Sequence, residues 1–175
     1  SMEEQTIDET ELWKLLEKTI RGAAEGFAET RVREGQNLRD DLETKLDVML
    51  GHVAYIRERS PEIVEEYKQK LKDKVRELLE DNQIDEGRLL MEVTVFADKS
   101  CVDEEIVRLQ SHIETTKATL ADGGGIGRKL DFIAQEMNRE ANTILSKANN
   151  LDISNRAIEL KTEIEKVREQ IQNIE

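Results

Sequence analysis

Proline, cysteine and aromatic residues are scarce in this sequence of 175 residues. Proline and cysteine occur once each, and aromatic residues make up 3% of the chain. The lone Cys101 excludes an intramolecular disulfide and any zinc site built from several cysteines. β-Sandwiches and barrels need more turn residues and more aromatic and β-branched strands, so the composition also excludes an all-β fold.

Long apolar runs are absent as well. No stretch approaches the ~18 consecutive apolar residues that a membrane-spanning helix requires. The chain does not open with a basic segment followed by an apolar run, the pattern of a secretory signal peptide. We therefore expect a cytoplasmic protein with no membrane partner. Ser1 and Met2 have the appearance of a cloning scar.

The charge balance is strongly acidic. The 39 acidic and 26 basic residues give a net charge of −13, which argues against a domain that is basic overall for binding nucleic acid. It also argues against electrostatic attachment to anionic lipid. Residues 99–147 carry a net charge of only −1, so a local site of mixed charge remains open there.

The residues that are abundant predict an all-α fold of long antiparallel helices, because Glu, Lys, Leu and Arg favour helices. Helical periodicity opens at Asp8 and continues past Gly35. The first helix is expected to end before Pro61, with Ser60 and Pro61 opening the next one. Residues 3–82 are accordingly predicted to form a long helical hairpin, with a break at residues 81–83, and residues 83–175 a helical C-terminal domain.

The last helix is predicted to resemble a coiled coil. Its apolar residues recur in steps of four and three, as a heptad seam requires, and the seam could lie within the chain or between subunits. They are Ile153, Ala157, Leu160, Ile164, Val167, Ile171 and Ile174. The run Gly123–Gly125 is interpreted as a connector or helix end, since the strand that precedes a phosphate-binding loop is missing.

Two predicted helices carry residues suited to chemistry. Glu104, Glu105, Arg108 and His112 share an arc of about 100° on one helix. A histidine beside carboxylates can bind a divalent metal or transfer protons, although such a set is also common as surface ion pairs. The helix from Arg128 has polar stripes that contain residues unfavourable to helices, which indicates specific hydrogen bonding or a polar interface between helices.

At these residues the sequence resembles the YicC-like endoribonucleases. The resemblance rests on Gly127–Phe132, Gln135–Glu140, Asn142-Thr143 and Ser146-Lys147, and extends back through Glu104, Glu105, Arg108, Leu109 and His112. It covers roughly residues 30–175. Members of that family also have a mixed α/β N-terminal domain, for which this chain contains no counterpart.

The resemblance implies a bacterial cytoplasmic protein that cuts RNA, rather than DNA, with a divalent metal, manganese or magnesium. It also implies a ring-like homo-oligomer, a hexamer, that encloses the RNA. The candidate metal ligands are Glu104, Glu105, Glu136 and Glu140, and the candidate catalytic residues are His112, Glu136 and Glu140. The candidate RNA contacts are Arg108, Arg128, Lys129, Arg139, Asn142 and Lys147.

Three functions therefore remain open at this point. The first is a metal-dependent endoribonuclease module. The second is a module for oligomerisation and RNA clamping without catalytic activity of its own, which the heptad seam and the acidic charge favour. The third is a helical scaffold whose polar helix only packs against another subunit.

Overall fold

A computed structural model describes residues 8–79 and 85–174, which form five α-helices and contain no β-strand. The helices are α1 (Glu9–Leu79), α2 (Glu86–Ser100), α3 (Asp103–Asp122), α4 (Gly127–Lys147) and α5 (Leu151–Ile171). The predicted all-α fold is confirmed. In these two ranges no helix contains an apolar stretch long enough to cross a lipid bilayer.

The single proline does not end a helix, so the helix end predicted before Pro61 is wrong. α1 continues through Pro61, and residues 9–79 form one helix rather than the two arms of a hairpin. Burial on both sides of the proline accounts for the continuation, because Ile56 and Ile63 both lie in the core. The Ser60 hydroxyl also donates a hydrogen bond of 2.7 Å to the Ile56 carbonyl. The predicted break at residues 81–83 and the domain boundary after residue 82 lie outside the described residues.

The chain divides into two compact units, Ser1–Asp40 and Asp41–Glu175. In the first unit, α1 begins after Asp8, whose carboxylate accepts a hydrogen bond of 2.9 Å from the Thr10 amide. The apolar residues that give this part of the sequence its helical periodicity are exposed to solvent. They include Leu12, Leu16, Ile20 and Phe27.

The second unit contains the hydrophobic core, to which α1, α3, α4 and α5 contribute most of the buried residues. Side chains paired across the helices show that neighbours are antiparallel. Along α1, Asp41 contacts Gln170 near the end of α5, whereas Arg59 contacts Asp152 near its start. Arg108, near the start of α3, contacts Glu140, in the second half of α4, so these two helices are also antiparallel. The predicted antiparallel arrangement is therefore confirmed within this unit.

The heptad seam of α5 is buried inside the chain. Six of its seven residues lie in the core, and the seventh, Ile174, is partly exposed. The seam accordingly packs within the subunit, which resolves one of the two alternatives that the sequence left open.

A short glycine connector joins α3 to α4. Gly123 and Gly124 have φ angles of +70° and +84°, a backbone conformation that side chains with a Cβ rarely adopt. α4 begins only a few residues later, at Gly127. The tight connection places the start of α3 beside the end of α4, where the polar residues of both helices meet.

Candidate functional site

Arg108 lies at the centre of a charged network between α3 and α4. Its guanidinium donates two hydrogen bonds to the Glu140 carboxylate, of 2.8 Å from Nε and 3.0 Å from Nη2. The same guanidinium pairs with Glu104 and lies 3.5 Å from the nearer oxygen of Glu105. The hydrogen bond to Glu140 raises the pKa of Arg108, so this side chain is permanently charged and held by three carboxylates.

Glu105 and Lys147 extend the network towards the end of α4. The Lys147 ammonium donates a hydrogen bond of 2.9 Å to Glu105 and another of 3.0 Å to the Cys101 carbonyl. The side chain of Glu105 is only 5% exposed. Burial by itself raises the pKa of Glu105, but the hydrogen bond and charge of Lys147, together with the charge of Arg108, lower it overall. We call Glu104, Glu105, Arg108, Glu140 and Lys147 the α3–α4 network.

The network unites five residues that spacing grouped helix by helix and that the family resemblance proposed as metal ligands or RNA contacts. Spacing along α3 predicted that Glu104, Glu105 and Arg108 share a face. The pairing of Arg108 with Glu140, and of Glu105 with Lys147, depends on the packing of two helices and has no local sequence signal. Antiparallel packing of α3 on α4 therefore supplied the part of the site that spacing could not.

Two further predicted residues lie next to the network but outside it. His112 is partly buried one turn beyond Arg108, and its ring makes no hydrogen bond with any described residue. Glu136 is partly buried one turn before Glu140, and it pairs with Arg139 at 2.5 Å. His112 and Glu136 are thus placed on the same pair of helices as Arg108 and Glu140, but no hydrogen bond links them to the network.

The remaining predicted RNA contacts lie on the solvent side of α4. Arg128, Lys129, Arg139 and Asn142 are exposed there. Arg128 and Lys129 make no ion pair or hydrogen bond with the described residues. With Phe132, which is also exposed, these residues form what we call the outer face of α4.

Phe132 was missed as a functional candidate by the sequence analysis. Its position falls outside the apolar arc of α4, whose members Leu130, Ile133 and Met137 are buried. An aromatic residue between two cations and a polar stripe is the signal that could have singled it out.

The carboxylates do not fit a complete metal site in the arrangement that the structure describes. Within residues 8–79 and 85–174, no group of three or more His, Cys, Asp or Glu side chains is arranged to hold a metal ion. The oxygens of Glu105 and Glu140 face Lys147 and Arg108 instead. Hard divalent cations take about six oxygen ligands, so these residues would need further donors.

Known proteins with a similar sequence match the part of the chain that contains α3 and α4. A family model described as "Endoribonuclease YicC-like, C-terminal" matches residues 56–175. A protein of Clostridioides difficile (strain 630) named "Probable endoribonuclease YicC" is 46% identical over 175 residues, which cover 99% of this chain and 60% of that protein. A protein of Haemophilus influenzae with the same name is 40% identical over 151 residues, which cover 85% of this chain and 51% of that protein. The chain thus spans little more than half the length of these curated relatives.

Proposed function

The chain belongs to the family of YicC-like endoribonuclease C-terminal domains, and on this premise we propose that it is the helical module of an endoribonuclease. In this function the module binds RNA along α4 and brings it to the residues that cleave a phosphodiester bond. The proposal includes a cytoplasmic location, as expected for the substrate.

The observation that carries the proposal is the exposed cationic face of α4. Phosphate oxygens receive most protein–nucleic acid hydrogen bonds, and Arg and Lys are the usual donors. Arg128 and Lys129 are exposed and bind no carboxylate among the described residues, so no ion pair has to be broken before they meet a phosphate. Among the described residues, Arg139 forms an ion pair with Glu136 alone, and 72% of its side chain is exposed.

A divalent metal, manganese or magnesium, stays part of the proposal. When bound, such a metal would acidify a water and neutralise charge at the scissile phosphate. Glu104 and Glu136 are candidate ligands, and water molecules would complete the ligand set, as is usual for magnesium. All four candidate carboxylates pair with a cation, but the side chains of Glu105 and Glu140 are only 5% and 12% exposed. They are therefore less suited to ligation than Glu104, which is 80% exposed.

The proposed catalytic residues are tested in the chain extended to the length of its relatives. With Mn²⁺, we expect it to cut a single-stranded RNA, and we expect His112→Ala or Glu136→Gln to abolish cleavage. Glu165→Gln is the matched control, because Glu165 is exposed on α5 and pairs with no described residue. Cleavage by the extended wild type with full activity in both variants would remove His112 and Glu136 from the mechanism.

A second candidate function is RNA clamping and assembly, with chemistry supplied elsewhere. Two observations favour it: the involvement of Glu105 and Glu140 in ion pairs, and the exposed apolar residues in the first part of α1. Homo-oligomerisation, as a hexamer, belongs to this proposal. Salt-dependent RNA binding by the 175-residue chain without cleavage, lost in Arg128→Glu, would favour clamping over catalysis.

A further inference from the structure

Phe132 is an aromatic side chain that packing does not explain. It lies in the first half of α4 with 63% of its surface exposed, whereas the apolar residues on the opposite side of the helix are buried. With most of its surface in water, Phe132 gives the core only a minor part of the stabilisation that a fully buried Phe would supply.

The other aromatic rings of the second unit have partners. Tyr67 and Phe96 stack on each other with centroids 3.8 Å apart and planes inclined by 7°. Tyr55 receives the guanidinium of Arg156 at 4.4 Å from its ring centroid. Among the described residues of this unit, Phe132 is the aromatic ring that contacts neither another ring nor a cation.

The surroundings of Phe132 are cationic. Arg128 and Lys129 precede it by four and three residues, so their side chains share its side of the helix. Both are exposed and neither has an anionic partner among the described residues. Arg139 follows about 10 Å further along the axis at 1.5 Å per residue. Although the chain has a net charge of −13, an exposed aromatic ring lies here beside two cations that form no ion pair with a described residue.

We propose that Phe132 is a stacking platform for an unpaired RNA base, with Arg128 and Lys129 holding adjacent phosphates. This inference rests on the proposed function and adds that the RNA is single-stranded where it crosses α4. Every base offers a π-face to an aromatic ring, and a base becomes accessible for such stacking only when it is unpaired.

The chemistry of the patch favours RNA over a protein partner. A stable protein interface buries roughly 1,200–2,000 Å² around an apolar centre that is poor in charge. Phe132 has charged and polar neighbours on the outer face instead: Arg128, Lys129, Gln135 and Glu136. A ring beside two cations that pair with no described carboxylate matches a sugar–phosphate strand with exposed bases.

The test measures fluorescence anisotropy of a labelled single-stranded oligoribonucleotide on titration with the 175-residue chain. We expect Phe132→Ala to weaken binding roughly 5- to 150-fold, the range measured for loss of one stacked base. Phe132→Leu retains apolar bulk without a π-face and should behave like Phe132→Ala. Phe132→Trp should retain wild-type affinity. Because Phe132 is exposed, all three variants should keep the wild-type unfolding temperature.

Two comparisons separate stacking from phosphate binding. Phe132→Ala should leave the salt dependence of binding unchanged, whereas Arg128→Gln should reduce the slope of log K against log salt by about one. On a matched strand of abasic sites, wild type and Phe132→Ala should bind equally. If Phe132→Ala weakened binding to the abasic strand as much as it weakens binding to the strand with bases, the proposal would be overturned.

The outcomes distinguish this inference from the proposed function. RNA binding by wild type with undiminished affinity in Phe132→Ala would overturn stacking and leave RNA binding intact. A wild-type chain that binds neither strand would contradict both. A change of mass in Phe132→Ala, measured by light scattering after size exclusion, would assign the ring to a protein interface and likewise overturn stacking.

Discussion

Four cations predicted as phosphate contacts have two different roles at the scale of the residue. Arg108 and Lys147 are bound to protein carboxylates, whereas Arg128 and Lys129 have no such partner among the described residues. The carboxylate of Glu105 is nearly buried, and a buried charge is tolerated only when it is paired. Lys147 therefore stabilises the nearly buried carboxylate of Glu105, a role that Arg128 and Lys129 do not have.

Glu105 should make the stability of the protein depend on acid pH. Its pKa is lowered in the folded state, so below the ordinary glutamate pKa of about 4.3 the unfolded chain binds the proton first. The contribution of Glu105 is present above that pH and is lost as the pH falls through the lowered value. We expect Glu105→Gln to flatten the dependence of unfolding free energy on pH below about 4.3.

Denaturant unfolding measured between neutral and acid pH checks this expectation. The control is Glu165→Gln, which removes an exposed carboxylate that pairs with no described residue. It should follow the wild-type curve. A Glu105→Gln curve parallel to wild type throughout the acid range would show that Glu105 ionises in the folded protein as it does in the unfolded chain.

Residue spacing along α3 predicted two of the four ion pairs that form the α3–α4 network, those of Arg108 with Glu104 and Glu105. A pair four residues apart, such as Glu104 and Arg108, is visible in the sequence as neighbours on a helix. Arg108 and Glu140 are 32 residues apart, and nothing local links them. Their contact depends on the packing of two helices, which a single sequence does not encode in any short pattern.

At the scale of the element, α1 contradicts the usual effect of a proline. An interior proline removes one helical hydrogen bond and crowds the preceding turn. Arg59 offsets this locally, because it pairs with Glu62 and Glu66 of the next turns and with Asp152 of α5. The sequence rule failed here because long-range contacts on both sides of Pro61 outweigh a local cost.

Replacing the proline should therefore stabilise the protein. Pro61→Ala restores an amide that can bond to the Arg57 carbonyl, and the expected gain in unfolding free energy is about 2 kcal/mol after the greater freedom of the unfolded chain is deducted. Chemical denaturation measures it. Glu58→Ala, a change at a nearby exposed position of the same helix, should alter stability by less than about 0.5 kcal/mol. Lower stability of Pro61→Ala than of wild type would show that the ring itself packs favourably.

The helices α3, α4 and α5 were predicted well because their apolar periodicity is continuous. Leu130, Ile133 and Met137 recur on α4 at steps of three and four, and all three are buried. Apolar periodicity predicts which side of a helix will be covered, but it does not predict whether the same chain or another molecule covers it. In α1 the same kind of pattern marks both the buried residues Leu42 and Leu46 and the exposed residues of the first unit.

At the scale of the whole molecule, the two units differ in how their apolar residues are covered. The second unit buries its own core, whereas Trp13 and Phe27 of the first unit are 65% and 67% exposed. Such a concentration of exposed apolar residues is typical of an interaction surface. It gives the proposed assembly its most specific test.

We expect the 175-residue chain to self-associate through the first unit. The double variant Trp13→Glu/Phe27→Glu should shift the mass measured by light scattering towards the monomer. Its helix content, measured by circular dichroism, should match wild type, because the substituted side chains are exposed and contribute nothing to the core of the second unit. Val107→Glu, at an exposed apolar position on α3, is the matched control and should keep the wild-type mass. A monomeric wild type, or an unchanged mass in the double variant, would contradict assembly by this route.

The connector between α3 and α4 has a consequence for evolution. Gly123 and Gly124 are exposed, and a Cβ at either would meet no atom within 4 Å, yet both have positive φ angles. Natural selection should keep glycine at these two positions in order to preserve the turn that brings Glu140 to Arg108. In an alignment of homologues, two invariant exposed glycines would resemble a ligand-binding motif. Here the positive φ angles of the backbone would be the reason for their conservation.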